Sequence, residues 1–160
     1  MTKPYYTLAN FTGPNALGYL VRRLHTLMVP IAEAQFAGEE LTFSHWVALV
    51  SLRDGLTHTC ADIARHMNHD SGATTRLVDQ LEERGLLIRE RSKTDRRVVN
   101  LKLTPAGKTV AKALTPRMID VCNLALDGMN VAEVDALLSS LKRMIAKLED
   151  MQPEKVRGSR

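Results

Sequence analysis

Two short stretches of this 160-residue chain carry side chains suited to binding a polyanion. The first reads "SGATTR" and covers residues 71–76. Gly72 and Ala73 are small enough for a phosphate to approach the backbone closely, and a helix start favours an anion. Thr75 can hydrogen-bond a base or touch a thymine methyl group, and Arg76 can bind O6 and N7 of guanine together. With Ser71, these residues are candidates for DNA recognition, although the pattern also fits a well-capped helix with a solvated surface.

The second stretch, "RSKTDRR", covers residues 91–97 and gathers four cations around one acid. A loop of this kind can place a guanidinium in the minor groove of DNA, where the potential is most negative. Asp95 is a poor contact for a phosphate, but its carboxylate can pair with a neighbouring arginine and fix the direction of the planar fork. The candidate contacts are Arg91, Lys93, Asp95, Arg96 and Arg97. A charged hairpin tip kept polar for solubility is the alternative.

The helices that must position the first stretch are predicted from apolar periodicity and capping residues. They run over residues 14–37, from Thr42 or Ser44 to the turn 53–55, from Thr59 to the turn 68–70, and from Asp70 or Ser71 to Gly85. Pro30 deletes one backbone hydrogen bond of the first helix and is expected to kink it. The "SGATTR" stretch therefore opens the second member of a pair of short helices joined by a tight turn.

Two predicted strands hold the basic stretch between them. Alternating apolar and polar residues predict strands at 86–90 and 98–103. Helical spacing then predicts a fifth helix capped at Thr104 and a sixth after the turn at 127–130. A tight pair of short helices followed by a two-stranded hairpin makes a winged helix-turn-helix. The predicted fold is therefore mainly α-helical, with the order helix, helix, helix, helix, strand, wing, strand, helix, helix.

Composition limits the classes to which the chain can belong. Its 44% hydrophobic and 25% charged residues are typical of a soluble globular protein, and the net charge of +4 favours a polyanionic partner only weakly. No apolar stretch approaches the roughly 20 residues of a membrane span, so no membrane partner is expected. The two cysteines lie on separate predicted helices, which makes the cytoplasm the default compartment. No catalytic set suggests an enzyme, and nothing indicates a cofactor.

One long segment carries a resemblance to a known family of regulators. Residues 61–108, "ADIARHMNHDSGATTRLVDQLEERGLLIRERSKTDRRVVNLKLTPAGK", resemble the core of the MarR (multiple antibiotic resistance regulator) family of winged helix-turn-helix transcriptional regulators. The "DRR…LT..G" element is the more specific part, since a lone helix-turn-helix is widespread. The flanking helices agree in order and length, so the resemblance covers about residues 12–150.

The resemblance implies an architecture and a role for the two stretches. It implies a single domain over residues 1–160, with a DNA-binding lobe at 41–104 and dimerisation helices at 12–40 and 105–150. Such proteins are homodimers whose first and last two helices intertwine, and they bind pseudo-palindromic double-stranded operators, usually as repressors. By position in the motif, Arg97 resembles the arginine that enters the minor groove, Asp95 the acid that orients it, and residues 71–76 the base-reading end.

An effector site is expected on the strength of the same resemblance. Ligands of the family, often aromatic carboxylates or phenolics, lie between the dimerisation helices and the DNA-binding lobe. In this chain the candidates are Tyr19, Arg22, Arg23, His45 and Trp46. An arginine could hold a carboxylate, the indole could stack on a ring, and the imidazole could accept a phenol proton. A small aromatic acid or its thioester is the expected effector, against an alternative in which the arginines are solvated or bridge the dimer and the indole is core.

Other functions remain open at this point. A helical protein-interaction module could use the basic hairpin to dock an acidic partner. A redox-sensing regulator could use Cys60, whose position at a helix N-terminus could lower the pKa of the thiol. A zinc-sensing regulator could use His66 and His69, which have helical spacing but straddle the turn.

Overall fold

A computed structural model describes residues 4–92, 94–95 and 97–151. Its elements are a short 3-10 helix, Gly13–Asn15, followed by α1 (Leu17–Ala34), α2 (Phe43–Arg53), α3 (Cys60–Met67), α4 (Ser71–Glu83), β1 (Leu87–Arg91), β2 (Val99–Leu103), α5 (Pro105–Ala125) and α6 (Val131–Met151). The two strands form an antiparallel pair. The predicted order of elements and the mainly helical winged fold are thus confirmed.

The first predicted helix is shorter in the structure than in the sequence pattern. Pro14 lies in the separate 3-10 turn, and Ala16 has extended backbone, so α1 begins at Leu17 rather than at residue 14. The helix continues through Pro30 and ends at Ala34. The chain then reverses through Gly38, whose φ of 84° is a conformation that glycine adopts without steric cost.

Local caps define the starts of α3 and α4. The Thr59 side chain accepts the backbone N–H of Asp62, whose carboxylate accepts the N–H of Thr59 in return. Burial opposes ionisation of Asp62, yet the hydrogen bonds that its carboxylate accepts prevail and lower its pKa. Asp70 caps α4 by accepting the N–H of Ala73 at 2.8 Å, and this hydrogen bond lowers the pKa of Asp70. Both carboxylates are therefore held as anions at helix N-termini, where negative charge is favoured.

The chain divides into two compact units, and the first, which ends at Val121, has one hydrophobic core beneath the helix-turn-helix. The largest fully buried apolar side chains of this core are Leu49, Ile63, Val78, Leu81 and Leu87. They come from α2, α3, α4 and β1, so these three helices and the first strand share one packed interior. Since such interiors are close-packed, the outer face of α4 is held at a fixed angle to the hairpin.

The start of α5 is packed directly against the backbone that precedes β1. Thr104 donates its N–H to the carbonyl of Leu86 at 3.1 Å and its hydroxyl to the carbonyl of Gly85 at 2.6 Å. Gly107 is buried against the same carbonyl: a Cβ atom there would lie 1.9 Å from the Leu86 oxygen. The glycine is therefore a packing requirement, because no side chain fits between α5 and this strand entry.

Two helices present apolar side chains to solvent. The exposed apolar residues of α1 include Leu17, Leu20, Val21, Leu24, Leu27 and Ile31. In the second unit, those of α6 include Leu137, Leu138, Ile145 and Leu148. Apolar stripes of this size commonly mark protein interaction sites. Within the described residues, neither helix nor any other is long and apolar enough to cross a membrane.

Candidate nucleic-acid interface

The N-terminal turn of α4 has one side exposed to solvent, opposite the side that packs into the core. The turn before it places Asn68 in the left-handed conformation, at φ 51°. Thr74, Leu77 and Val78 point into the core, whereas the predicted contacts Ser71, Gly72, Thr75 and Arg76 are exposed. Because neighbours three and four positions apart share a face, burial of one side of α4 orients the other side outward. The structure thus brings four of the predicted base-reading residues together on one exposed turn.

Two polar groups at this end are already engaged. The Thr75 hydroxyl donates to the carbonyl of Ser71 at 2.8 Å, so its oxygen and its methyl group remain for a partner. The N–H of Ala73 is occupied by Asp70, and the Ala73 residue is half-buried. Contact of a phosphate with the Ala73 amide, which the sequence suggested, would therefore require displacement of the cap. Arg76 is the long, exposed donor of this turn.

The basic wing is a short hairpin beside α4. Arg91 is the last residue of β1 and pairs with Val99 of β2. On its other side, β2 makes one backbone hydrogen bond to the segment before α3, where the N–H of Leu101 donates to the carbonyl of His58 at 2.8 Å. Arg91 and Arg97 are both exposed. Lys93 and Arg96, also predicted to bind DNA, lie outside the described residues. The side chains of Arg91 and Arg97 are thus open to solvent.

Asp95 contacts Arg97 in a different way from the one expected. Its Oδ1 accepts the backbone N–H of Arg97 at 2.9 Å, and its carbonyl accepts the N–H of Val98 at 3.0 Å. This is the local turn that aspartate commonly makes with its own backbone. Asp95 therefore shapes the main chain that carries Arg97, and the predicted pairing with an arginine side chain stays a prediction.

Arg89 joins the wing to the recognition helix and was missed by the sequence analysis. From the middle of β1, its guanidinium binds Asp79 at 2.7 Å and also contacts Glu82, both on α4. The backbone N–H of Arg89 also donates to the Glu82 carboxylate, at 3.1 Å. Burial opposes ionisation of Arg89, but the hydrogen bonds to the two carboxylates prevail and raise its pKa. Arg89 is therefore a fixed cation that holds the strand to the helix.

Replacing Arg89 by methionine is expected to weaken binding to a cognate duplex about tenfold, since a misplaced wing loses about 1.4 kcal/mol of contact. The change would free the wing from α4 and leave the carboxylates of Asp79 and Glu82 without the Arg89 cation. Fluorescence anisotropy with a labelled duplex measures the affinity. Arg53→Met is the matched control, because Arg53 pairs with Asp54 away from α4. Equal losses of affinity in both variants would contradict a positioning role for Arg89.

Two of the predicted effector residues are engaged in local packing. His45 is buried; its Nε2 lies 2.9 Å from Gln80 Oε1, and its Nδ1 accepts the N–H of Thr42 at 3.0 Å. Trp46 stacks on Phe43 with ring centroids 5.9 Å apart and packs against the core. The imidazole thus caps α2 and joins it to the recognition helix, which leaves neither nitrogen free for a phenol.

A different set of residues lines a cleft of about 410 Å³. This histidine cleft is formed by residues from α1, α2 and the end of α3: His25, Val29, Glu33, Phe43, Ser44, Val47, His66, Met67 and His69. None of the five predicted effector residues lines it, and Tyr19, Arg22 and Arg23 are exposed on α1. The sequence signal for the cleft was weak because His25, on α1, lies far along the chain from His66 and His69. The role predicted for the five residues stays a prediction.

Cys60 does not have the environment of an activated thiol. It is half-buried at the start of α3, and burial raises the pKa of its thiol despite the nearby Arg89 guanidinium. A raised pKa reduces the thiolate fraction on which oxidation depends. In the part of the chain that the structure describes, no group of three histidine, cysteine or acidic side chains is arranged to hold a metal ion.

An exposed helix N-terminus beside a basic wing defines the class of winged helix-turn-helix DNA-binding proteins. Comparison with known proteins gives the same class. The MarR family model matches residues 41–99. The HTH-type transcriptional repressor NicR of Pseudomonas putida is 27% identical over 129 residues, which cover 81% of this chain and 82% of NicR.

Solved structures agree over most of the chain. BpsR of Bordetella bronchiseptica, whose DNA binding is regulated by 6-hydroxynicotinic acid, is 26% identical with a TM-score of 0.71, covering 84% of this chain and 96% of BpsR. A cysteine-to-serine mutant of MarR from E. coli in complex with operator DNA has the same fold, at 23% identity and a TM-score of 0.68, over 80% of this chain and 92% of the other. These relatives are transcriptional regulators of the MarR family, and residues 41–99 of this chain match the model of that family.

Proposed function

We propose that this protein is a dimeric, ligand-responsive repressor that binds a pseudo-palindromic operator and is released by a small aromatic acid or its thioester. The observation that carries the proposal is the exposed turn of α4, with Thr75 and Arg76, beside a wing that exposes Arg91 and Arg97. A helix end of this kind reads base edges in the major groove, and a basic wing reads the adjacent minor groove.

Exposed apolar surface supports the dimer. The stripe on α1 has side chains about half exposed, such as Leu20 at 51% and Leu24 at 50%, and α6 exposes Ile145 at 55%. Burying such surfaces against a second copy would remove apolar area from water, at about 25 cal/mol per Å². MarR-family regulators bind operator DNA as dimers, and a two-fold protein matches a two-fold operator. In such a dimer two α4 helices would enter successive major grooves.

The proposed class of effector, a small aromatic acid, is supported by the similarity to BpsR. BpsR responds to 6-hydroxynicotinic acid, a planar aromatic carboxylate, and it is similar to this chain over most of its length. A ligand that binds one arrangement of the two DNA-binding lobes more tightly shifts the population toward that arrangement. Release from the operator follows if the favoured arrangement no longer matches the spacing of the half-sites.

Selection from a random duplex library is the direct test of this function. We expect enrichment of an inverted repeat with half-sites about 10 base pairs apart, bound by two protomers. The affinity should fall steeply with salt, by a slope of roughly −0.9 per phosphate neutralised. Arg76→Ala should relax the preference at one base position in each half-site, with a cost of about 1–3 kcal/mol.

The same selection also tests the alternative in which the basic hairpin binds an acidic protein instead of a DNA operator. An acidic protein partner would be bound through charge alone, so the chain would retain poly-glutamate as well as DNA and would enrich no sequence. Selection without an enriched motif would therefore contradict the operator-binding proposal. A motif bound by a single protomer would contradict the dimeric form of it.

A further inference from the structure

The loop between α1 and α2, residues 35–41, is held from one side by the recognition helix. Arg84 directly follows the last residue of α4, and its guanidinium donates to two neighbouring carbonyls of the loop, that of Glu39 at 3.1 Å and that of Glu40. A guanidinium presents its donors in a rigid planar fork, so two acceptors fix its direction as well as its distance. The end of α4 is therefore tied to the main chain of this loop.

The same loop is held from another side by α5. The guanidinium of Arg117 donates to the carbonyl of Gln35 at 2.8 Å and to the carboxylate of Glu39 at 2.7 Å. The two arginines thus meet at Glu39, whose carbonyl binds Arg84 and whose carboxylate binds Arg117. Through this one residue, the loop joins the recognition helix to α5.

The backbone of the loop has little freedom to absorb a displacement. Phe36 and Leu41 are buried in the core near its two ends. Glu40 has a left-handed backbone, at φ 52°, which a residue with a side chain keeps only where its surroundings impose it. The carbonyl of this same residue binds the Arg84 guanidinium. A displacement of one arginine is therefore passed to the other instead of being taken up by the loop.

A second contact attaches the same face of α4 to the start of α2. Gln80 lies one helical turn before Arg84, and its Oε1 is 2.9 Å from Nε2 of His45. Residues four positions apart share a face of a helix, so Gln80 and Arg84 both face the entry to α2. The recognition helix is thus attached along one face, while Thr75 and Arg76 are exposed near its other end.

Hydrogen bonds are the contacts that can set the angle between α5 and α4. Buried side chains such as Leu114 and Met118 hold α5 on the core, but apolar contacts have no preferred direction. At the start of α5, the Thr104 hydroxyl donates to the carbonyl of Gly85 at 2.6 Å. Arg117 adds a second polar attachment roughly 20 Å further along the helix, at 1.5 Å per residue. Two such attachments define an angle, whereas one leaves α5 free to pivot.

We infer that Glu39 is a positioning residue for operator binding, which couples the orientation of α5 to that of the recognition helix through Arg117 and Arg84. The inference rests on the proposed function in one respect, namely that the chain binds its operator as a dimer through α4. In that dimer α5 belongs to the dimerisation region, so the angle between α5 and α4 contributes to the spacing of the two recognition helices. Loss of the Glu39 carboxylate loosens this spacing and leaves the base contacts of each α4 intact.

The variants that test this role are Glu39→Ala, the conservative Glu39→Gln, and Glu40→Ala as the matched control. Glu40 is the exposed neighbour in the same loop, and its contact with Arg84 uses the carbonyl, which the substitution keeps. Anisotropy titrations compare the selected operator with duplexes whose half-sites are one base pair closer or further apart. Each such step turns one half-site by about 35° relative to the other.

Glu39→Ala is expected to bind the selected operator about fivefold less tightly, the lower end of usual coupling because the ion pair is partly exposed. It should also lose most of the preference for the selected spacing. Glu39→Gln keeps an acceptor for Arg117 and should restore most of that preference. Glu40→Ala should retain the preference of the unaltered chain. Equal losses of affinity at every spacing in Glu39→Ala would contradict a positioning role.

Hydrogen exchange of the free chain measures the coupling without DNA. The side chain of Arg117 donates to the α1–α2 loop, at Gln35 and Glu39. Arg117→Met is nonetheless expected to speed amide exchange in the last turn of α4 about fivefold, because the link through Glu39 is lost. Glu39→Ala should have the same effect, and the double variant should add little to it. Thermal unfolding verifies that each variant is folded.

The outcomes separate the coupling from the proposed function. Unchanged exchange at the end of α4 in Arg117→Met would show that the coupling is wrong. Faster exchange with an unaltered spacing preference in Glu39→Ala would overturn the role in operator binding. Faster exchange together with a lost preference, both absent from Glu40→Ala, supports the whole inference. If the unaltered chain binds no duplex, the proposed function fails, while the exchange rates still decide the coupling.

Discussion

Gly107→Ala is expected to lower the free energy of unfolding by about 3 kcal/mol, near the upper end of the usual cost of overpacking. In most helices the same substitution stabilises, because alanine is the better helix former by about 1 kcal/mol. Here the added methyl would lie 1.9 Å from the Leu86 carbonyl oxygen, a backbone atom that cannot rotate away. The steric cost therefore exceeds the gain in propensity, and the sign of the effect reverses.

Chemical denaturation of the purified variant measures this change, and a thermal scan should show the melting temperature lowered by roughly 6–12 °C for a chain of this size. Ala106→Gly is the control, since residue 106 is the exposed neighbour in the same turn of α5. It should lose only the ordinary propensity of about 1 kcal/mol. A Gly107→Ala variant as stable as the unaltered chain would mean that α5 does not begin as close to Leu86 as described.

Arg97→Ala is expected to reduce affinity for the selected operator by about 10- to 100-fold. The side chain is exposed on the wing, and Asp95 shapes the main chain beneath it. In a dimer the change removes two cations, one from each wing. Because each phosphate neutralised contributes about 0.9 to the salt slope, we also expect the slope to become shallower by about 2 per dimer.

Anisotropy titrations over a series of salt concentrations give both quantities at once. Lys112→Ala is the matched control, because it removes the same charge from an exposed position on α5. If only the net charge of the protein matters, affinity should fall equally in the two variants, and this result would contradict a specific contact of Arg97 with the operator. Unchanged operator affinity in Arg97→Ala would remove the wing from the interface altogether.

Local rules predicted the helix starts because the contacts that make them are local. Thr42 and Thr59 bond the residue three positions on, and that spacing is visible in the sequence. The same kind of rule could have found the Asp95 turn, since aspartate often binds its own backbone two residues on. There the sequence analysis favoured a side-chain partner and overlooked the nearer backbone donor.

Contacts between distant segments were beyond the same rules. Arg89 meets Asp79 and Glu82 only because β1 folds back along α4, and nothing in the spacing of the three residues indicates it. The histidine cleft likewise joins α1, α2 and the end of α3. His45 was interpreted as a binding residue from its type, and the sequence analysis did not foresee that its side chain also accepts the N–H of Thr42 at the start of α2. The residue type suggested what a side chain could bind, whereas the folded structure determines which of its polar atoms are already engaged.

The contacts of the wing fall into two independent sets. Arg89 fixes the base of the hairpin to α4, while the described tip is held by its own turn, through Ser92, Asp95 and Val98. Substitutions in the tip therefore leave the angle of the recognition helix unchanged. If the wing and α4 bind DNA as proposed, a tip grafted from a relative would change minor-groove preference without changing the contacts of α4 with the major groove.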